Sequence, residues 1–224
     1  MNEAPEQGSE RALAAQIDAE IRVLPVQNIP SVRAVRRAYS RKLAGAGAAY
    51  VLDLARELLA LCDHRWVAYE LVREHPAAFA SIGDIDLVEL GQGIDSWWTV
   101  DAFARTLSGP AWLRGQVEDG LIHAWARSPD RWWRRAALVS TVALNVRSQG
   151  GLGDTPRTLA ACRLLAGDPD DMVVKALSWA LRALASHDPE AVRAFLEDQD
   201  DVLAARVKRE VTSKLNTGLK NPRR

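Results

Sequence analysis

Apolar residues recur every three or four positions along almost the whole chain, and strict alternation of apolar with polar residues is absent. The repeating positions include Leu13, Ile17, Ile21 and Leu24, and later Val51, Leu54, Leu58 and Leu61. A spacing of three and four lines one face of an α-helix, whereas a strand needs a spacing of two. The sequence therefore predicts an all-α protein.

Glycine and proline residues interrupt the helical pattern at intervals, which predicts about a dozen short helices. Gly109 and Pro110 form one of these breaks. The segment 149–154 contains three glycines and is predicted to be an ordinary turn between helices. With 224 residues, of which 48% are hydrophobic, the chain can bury a sizeable core. We expect one domain over residues 1–224, with a basic C-terminal tail at about residues 216–224.

Weak internal repeats are present in this pattern. The segments that begin at Asp130 and Asp170 match each other without a gap, and each opens with an aspartate able to cap a helix. Small apolar residues occupy equivalent positions in successive repeats; they are Ala68, Val100, Ala136 and Ala176. The intervals between these positions are typical of HEAT-like helix pairs. We therefore predict an α-solenoid of HEAT-like helix pairs with a concave face lined by the second helices.

Positive charge is concentrated in blocks, although 29 basic and 29 acidic residues give a formal net charge of zero. An anionic partner must therefore bind a local basic face. The blocks lie at residues 31–42, which contain Arg33, Arg36 and Arg37, at residues 127–135, and from Arg206 to the C-terminus. Each block is either a solvated helix face or part of a concave surface that follows a phosphate backbone.

Several classes of protein are excluded by what the sequence lacks. Cys62 and Cys162 are far apart in the chain and lack metal-ligand spacing, so neither a zinc module nor a disulfide scaffold is expected. The four histidines are scattered, and no phosphate-binding loop or hydrolase motif occurs. The longest uncharged stretch has eleven residues, well short of the ~20 that a membrane helix needs. We expect a cytoplasmic bacterial protein that uses no metal and no cofactor.

The segment Ser96-Trp97-Trp98-Thr99-Val100-Asp101 carries the most distinctive chemistry. On a helix, Trp97 and Asp101 share one face, so that an indole and a carboxylate project together. An ionised carboxylate is costly in apolar surroundings unless it is paired. Asp101 is therefore either a functional group on an open surface or the ion-pair partner of an arginine such as Arg105, one helical turn later.

Tryptophan is unusually frequent, with 8 residues against 3 phenylalanines and 3 tyrosines. Trp66, Trp112, Trp125 and Trp132 lie among helical apolar residues and are predicted to pack in the core or between repeats. Tyr39 lies in the first basic block, where it could contact either DNA or the next repeat.

Four sequence motifs, spread over residues 26–195, together resemble the motifs of a known protein family. They are Gln27-Asn28-Ile29-Pro30-Ser31-Val32-Arg33, Trp97-x-x-Val100-Asp101, Trp133-Arg134-Arg135-Ala136-Ala137 and Lys175-Ala176-Leu177-Ser178-Trp179-Ala180-Leu181-Arg182. In this order and spacing, they resemble the successive repeat motifs of the AlkD family of HEAT-like DNA glycosylases.

The resemblance implies a role for each matching residue. Asp101 would be the catalytic carboxylate, Trp97 and Trp179 would flank the deoxyribose of the lesion, and Arg135 would contact the DNA backbone. The family commonly has a second acid where this chain has Trp98, which leaves Trp98 as an alternative sugar-facing indole. Trp97 is preferred because that alignment needs no gap. Further candidate DNA-binding residues are Arg134, Lys175, Arg33, Arg36 and Arg37.

The chemistry that the resemblance implies is hydrolysis of the N-glycosidic bond of cationic N3- or N7-alkylated purines in duplex DNA. Because such a base leaves without protonation, one carboxylate and two indoles suffice. The resemblance also implies that no deep pocket holds the base, so that bulky adducts are tolerated. We expect a monomeric, monofunctional glycosylase of base excision repair, near the nucleoid and with no obligatory protein partner. The alternatives are a non-catalytic HEAT-repeat protein that binds branched or damaged DNA, and a protein-binding scaffold.

Overall fold

The computed structural model describes residues 9–221, and helices joined by short turns account for nearly all of this range. No strand occurs within residues 9–221, so the predicted all-α fold is confirmed. The chain divides into two compact units, with the division between Gln92 and Gly93. The single domain expected from the sequence stays a prediction. Arg223 and Arg224 of the basic tail lie outside the described residues.

The first unit contains six helices among its described residues. They are α1 (Ser9–Arg22), α2 (Ile29–Lys42), α3 (Ala48–Leu61), α4 (Arg65–Glu74), α5 (Pro76–Ser81) and α6 (Asp84–Gly91). Helix α1 packs against α3, and α2 packs against α4. Contact between alternate helices is the pattern expected of stacked helix pairs.

The second unit begins with a helical segment made of α7 (Trp97–Phe103), a π-helical turn (Ala104–Ser108) and α8 (Gly109–Leu113). The helices that follow are α9 (Asp119–Ala126), α10 (Arg131–Asn145), α11 (Thr155–Leu164), α12 (Asp171–Leu184), α13 (Pro189–Asp198) and α14 (Ala205–Thr217). Helix α10 packs against both α7 and α12, and α12 also packs against α14. Alternate helices therefore contact each other in this unit as well.

The small residues predicted to lie between neighbouring helices are all buried. Ala136 of α10 and Ala176 of α12 are fully inaccessible, as is Val100 of α7, and Ala68 of α4 is nearly so. A small side chain at such a position lets the helix axes approach each other. The spacing of these four positions in the sequence therefore marks the helices that carry the interhelical contacts.

Capping residues begin the helices that matter for the candidate site. Ser96 caps α7 by accepting a hydrogen bond from the backbone N–H of Thr99, and the Thr99 hydroxyl accepts one from the N–H of Ser96. Asp130 caps α10 and Asp170 caps α12, each through the N–H two residues later. The aspartates at the start of the two matching sequence segments are therefore helix caps, as predicted.

The predicted break at Gly109 and Pro110 is wrong, because the chain stays helical from Trp97 to Leu113. A π-helical turn, rather than a loop, accommodates the proline. Pro110 has no N–H and would crowd the carbonyl four residues earlier in a regular α-helix. The Gly109 N–H donates instead to Ala104, five residues back. A Cβ on Gly109 would lie 2.8 Å from the Ser140 carbonyl oxygen, so glycine also permits close contact with α10.

The segment 149–154 is an interhelical turn, as predicted. Gly150 and Gly153 adopt positive φ angles of 94° and 97°. Gly151 lies so close to α10 that an added Cβ would be 2.2 Å from the Ala143 carbonyl oxygen. Glycine at these three positions folds the chain back onto α10 before α11 begins.

Most tryptophans outside the candidate site lie in the interior, as the sequence predicts. Trp66, Trp112 and Trp125 are buried, whereas Trp132 is only half-buried and lies under the Arg131 guanidinium. The Trp112 indole donates a 2.8 Å hydrogen bond to Asp119. Tyr39 is also buried, and its hydroxyl donates to Glu20 of α1. Burial of Tyr39 identifies it as a packing residue of the first unit.

Candidate functional site

Two exposed indoles stand at the start of α7. Trp97 is 52% exposed and Trp98 is 47% exposed, and their rings meet edge to face with centroids 5.8 Å apart. Both side chains lie in the first turn of the helix that Ser96 caps. A tryptophan left half in solvent forgoes much of its burial energy, which makes the pair a candidate for contact with a ligand.

Asp101 lies one turn after Trp97 and forms a bidentate ion pair with Arg135 of α10. The Arg135 Nε donates to Oδ1 and Nη2 donates to Oδ2, each at 2.9 Å. The remaining nitrogen, Nη1, donates to the Met172 carbonyl oxygen of α12 at 2.5 Å. The alternative that Asp101 pairs with an arginine is therefore confirmed, but Arg105 is the wrong example, because the partner comes from another helix, 34 residues away.

The ion pair is mostly buried but keeps some exposure to solvent. The Arg135 side chain is 6% exposed and the Asp101 side chain is 17% exposed. Each carboxylate oxygen has a second lone pair that the arginine does not use. Asp101 therefore keeps a solvent-facing edge while Arg135 fixes its orientation.

Burial is the largest influence on the pKa of Asp101. Desolvation raises the pKa of this carboxyl above its usual value of 3.8, although the Arg135 hydrogen bonds and charge oppose the rise. The positive charge of Arg105 also lowers the pKa, as the smallest of these effects. A carboxylate that is desolvated yet charge-paired is typical of functional sites as well as of structural ion pairs.

Trp179 of α12 contacts Arg105, a residue of the π-helical turn that follows α7. The Arg105 guanidinium lies over the half-buried Trp179 ring, 5.6 Å from its centroid. The charge of Arg105 also acts on Asp101, whose pKa it lowers slightly. The second unit thus carries Trp97 and Asp101 on α7, Arg135 paired with Asp101, and Trp179 in contact with Arg105.

The other predicted DNA-binding residues of the second unit are paired with acids. Arg134 donates to Asp168 at 2.6 Å and to two backbone carbonyls of the turn before α10. Lys175 forms a 2.6 Å ion pair with Asp171, one turn earlier in α12. Asp171 also lies 3.6 Å from Arg206 of α14. These cations are therefore partly neutralised within the protein.

The predicted DNA-binding residues of the first unit differ among themselves. Arg33 and Arg36 of α2 both donate to the carboxylate of Glu70 on α4. Arg36 is buried, whereas Arg37 is exposed and makes no ion pair with any residue in the range 9–221. Arg37 is therefore the member of this set with a free positive charge.

A buried polar cluster behind Trp179 was not predicted. Ser178 donates a 2.7 Å hydrogen bond to the buried carboxylate of Glu210 on α14, and Arg182 donates to the Ser178 hydroxyl. Arg206 and Lys220 lie 3.7 and 3.6 Å from Glu210. The signal available in the sequence was that Glu210 is the single acid in the C-terminal basic block. The cluster fixes α14 against the turn of α12 that carries Trp179.

No group of three or more His, Cys, Asp or Glu side chains within residues 9–221 is arranged to hold a metal ion. No helix in the described part of the chain is both long enough and apolar enough to cross a membrane. Cys62 and Cys162 are free and buried, and burial raises the pKa of the Cys62 thiol to about 11. Neither thiol is poised as a nucleophile.

Comparison with known proteins places the chain in a family. The family model described as DNA alkylation repair enzyme matches residues 6–215. No curated protein and no solved structure matches the chain. The matched range covers both units, and it includes Asp101, Arg135 and every other predicted site residue. The chain therefore belongs to the family of DNA alkylation repair enzymes, and its role lies in the repair of alkylation damage.

Proposed function

We propose that the protein is a monofunctional DNA glycosylase that hydrolyses the N-glycosidic bond of cationic N3- or N7-alkylated purines in duplex DNA. The observation that carries the proposal is the Asp101 carboxylate, held by Arg135 with a solvent-facing edge one turn after the exposed Trp97. Family membership supplies the context of alkylation repair. The enzyme would act as a monomer on duplex DNA in the bacterial cytoplasm, without a cofactor or protein partner.

The proposed reaction does not require the protein to protonate the base. In an N3- or N7-alkylated purine, the bond between the base nitrogen and C1′ breaks, and its electron pair neutralises the positive charge on the base. The sugar is left with oxocarbenium character, which a nearby carboxylate stabilises electrostatically. Water then adds to C1′, and Asp101 accepts the proton that this water loses. The products are a free neutral base and an abasic site.

The indoles complete the proposed site on either side of the sugar. A cation attracted to an indole face gains about 0.5 to 2 kcal/mol, and more when water is excluded. The exposure of Trp97 leaves a face available, and Trp179 already attracts the cation of Arg105. Trp98 is nearly as exposed as Trp97, so either indole can be the one nearest the deoxyribose. Because these contacts are to the sugar, the proposal needs no deep pocket for the base and admits bulky adducts.

The test is release of free base from a duplex oligonucleotide containing 7-methylguanine, under single-turnover conditions. Asp101→Asn keeps the side-chain shape but removes the negative charge, and we expect base release to fall by about 10² to 10³-fold. Duplex binding should be retained. The matched control is Asp200→Asn, because Asp200 is an exposed aspartate that is also ion-paired, in this case with Lys208 at 2.9 Å.

The remaining outcomes of the base-release assay lead to different interpretations. Equal base release by wild type and Asp101→Asn would refute Asp101 as the catalytic carboxylate. If neither protein acts on 7-methylguanine, the assay is repeated with a bulky minor-groove adenine adduct. No release from either lesion, together with salt-sensitive duplex binding, would make the protein a non-catalytic DNA-binding protein. Failure to bind duplex DNA would favour a protein-binding scaffold.

A further inference from the structure

Arg105 differs from the other basic residues around the candidate site because no carboxylate neutralises it. Arg135, Arg134 and Lys175 each contact an acid within 2.9 Å. Arg105 is exposed, and within residues 9–221 its guanidinium has no hydrogen bond and no ion pair. Its one aromatic contact is the Trp179 ring. The positive charge of Arg105 is therefore available to an anion from outside the protein.

The π-helical turn fixes the backbone at Arg105. In a regular α-helix, the Arg105 carbonyl would accept from the N–H of Gly109, but that N–H donates to Ala104 instead. The side-chain amide of Gln149 donates to the vacated Arg105 carbonyl at 3.2 Å. π-Helical turns within α-helices occur frequently at functional sites. The turn and the Gln149 contact together fix the backbone from which the Arg105 side chain reaches the Trp179 ring.

An anion bound to Arg105 would favour the proposed reaction. Asp101 carries one negative charge, which the bidentate pair with Arg135 already balances. Arg105 adds a second positive charge close enough to lower the pKa of Asp101. An unneutralised cation there would oppose the development of positive charge on the sugar. A phosphate bound to Arg105 would remove that opposition and would bring the deoxyribose next to it toward Asp101.

Arg135 is poorly suited to the same task. All three of its guanidinium nitrogens make hydrogen bonds within the protein, and only 6% of its side chain is exposed. Two of its five N–H donors remain unused, but they belong to a side chain that is almost fully buried, which restricts their access to a phosphate. The fixed position of Arg135 suits orientation of the carboxylate, which makes it a positioning residue.

We propose that Arg105 binds a backbone phosphate of the DNA strand that carries the lesion, and that Arg135 positions Asp101 instead of making this contact. The inference rests on the proposed glycosylase function for its account of catalysis. Its binding component, a phosphate contact at Arg105, requires only that the protein binds duplex DNA.

The experiment measures duplex affinity against salt concentration for wild type, Arg105→Ala and Arg105→Lys, with a fluorescent oligonucleotide. The matched control is Arg163→Ala, because Arg163 is also an exposed arginine over an aromatic ring, that of Phe195 at 5.9 Å, and has no ion pair within residues 9–221. Each phosphate contact contributes about 0.9 to the slope of log affinity against log salt. We expect Arg105→Ala to lower the slope by about 0.9, and Arg105→Lys and Arg163→Ala to keep the wild-type slope.

Thermal unfolding of each variant verifies that its fold is retained. A general loss of packing would not lower the slope of log affinity against log salt by about 0.9, the amount expected for one phosphate contact. A wild-type slope in Arg105→Ala, or an equal decrease in Arg163→Ala, would overturn the assignment of a phosphate to Arg105. So would a decrease in Arg105→Lys equal to that in Arg105→Ala. Failure of wild type to release base would refute the glycosylase proposal without affecting this comparison of slopes, whereas failure to bind duplex DNA would overturn both proposals.

Discussion

Two carboxylates in this molecule, Glu70 in the first unit and Asp101 in the second, are built into similar ion pairs. Each side chain is 17% exposed, and each contacts a buried arginine 34 residues away in the chain. Arg36 is the buried partner of Glu70, and Arg135 is the buried partner of Asp101. Each ion pair therefore joins two helices, α2 with α4 in the first unit and α7 with α10 in the second.

The surroundings of the two carboxylates differ. Glu70 binds a second arginine, Arg33, whose guanidinium lies 5.3 Å from the centroid of the buried Trp66 ring. Asp101 has one arginine partner, and the indoles beside it on α7 are exposed. The Glu70 cluster therefore has its charges and its aromatic ring satisfied within the protein. Similar ion pairs thus lie in different surroundings, and the exposed indoles beside Asp101 are what distinguish it from Glu70.

The largest expected effect that separates the two sites is on stability. Glu70→Ala removes the counterion of two arginines, one of them buried, and should lower the free energy of unfolding by about 3 to 5 kcal/mol. Urea denaturation of the purified variant measures this change. Asp53→Ala is the control, because Asp53 is an exposed partner of Arg56, and its loss should cost less than about 1 kcal/mol. A change in Glu70→Ala as small as that in the control would contradict the structural role.

The next effect concerns the pH dependence of base release. Because the proposed reaction needs ionised Asp101, activity should fall as the pH drops through the pKa of this group, which burial places above 3.8. Arg135→Gln removes the hydrogen bonds that favour the carboxylate, so the midpoint should move to higher pH. Arg105→Gln should move it in the same direction by less, because the Arg105 charge is the smaller cause. Single-turnover rates across pH measure these midpoints, and an unmoved midpoint in Arg135→Gln would exclude Asp101 as the titrating group.

The raised pKa of Asp101 also affects the free energy of unfolding, which should fall with rising pH where the activity rises. The folded protein binds the Asp101 proton more tightly than the unfolded chain, so this residue contributes stability that is fully present below the ordinary pKa of 3.8. That contribution is lost as the pH rises through the higher folded-state pKa. Asp101→Asn should therefore flatten the dependence of the unfolding free energy on pH in this window, as measured by urea denaturation at a series of pH values.

The smallest expected effect distinguishes two arginines of α2. Arg37 has no ion pair within the described residues, whereas Arg33 is neutralised by Glu70. If α2 contributes to DNA binding, Arg37→Ala should lower the salt slope of duplex affinity by about 0.9, and Arg33→Ala by less. Affinity measured at several salt concentrations decides between them. Equal slopes for Arg37→Ala and wild type would remove Arg37 from the DNA-binding surface.

Local sequence features predicted the helices and several of their details. Apolar spacing indicated the all-α class, and Asp130 and Asp170 marked the starts of α10 and α12. The buried positions of Ala136 and Ala176 followed from the repeat period. Helix periodicity and capping act between residues within one or two turns of one another, which is why they can be recognised in the sequence alone.

Spacing along the chain predicted which residue types could form the site: an indole and a carboxylate on one face of α7, and basic residues in blocks. Their partners depend on the packing of α7, α10 and α12, which pairs Asp101 with Arg135 instead of the nearby Arg105. The continuous helix through Pro110 likewise depends on the π-helical turn and on the close contact of Gly109 with α10. Ion pairing joins groups that distant helices bring together, and it therefore decides which cations remain free to bind an anion.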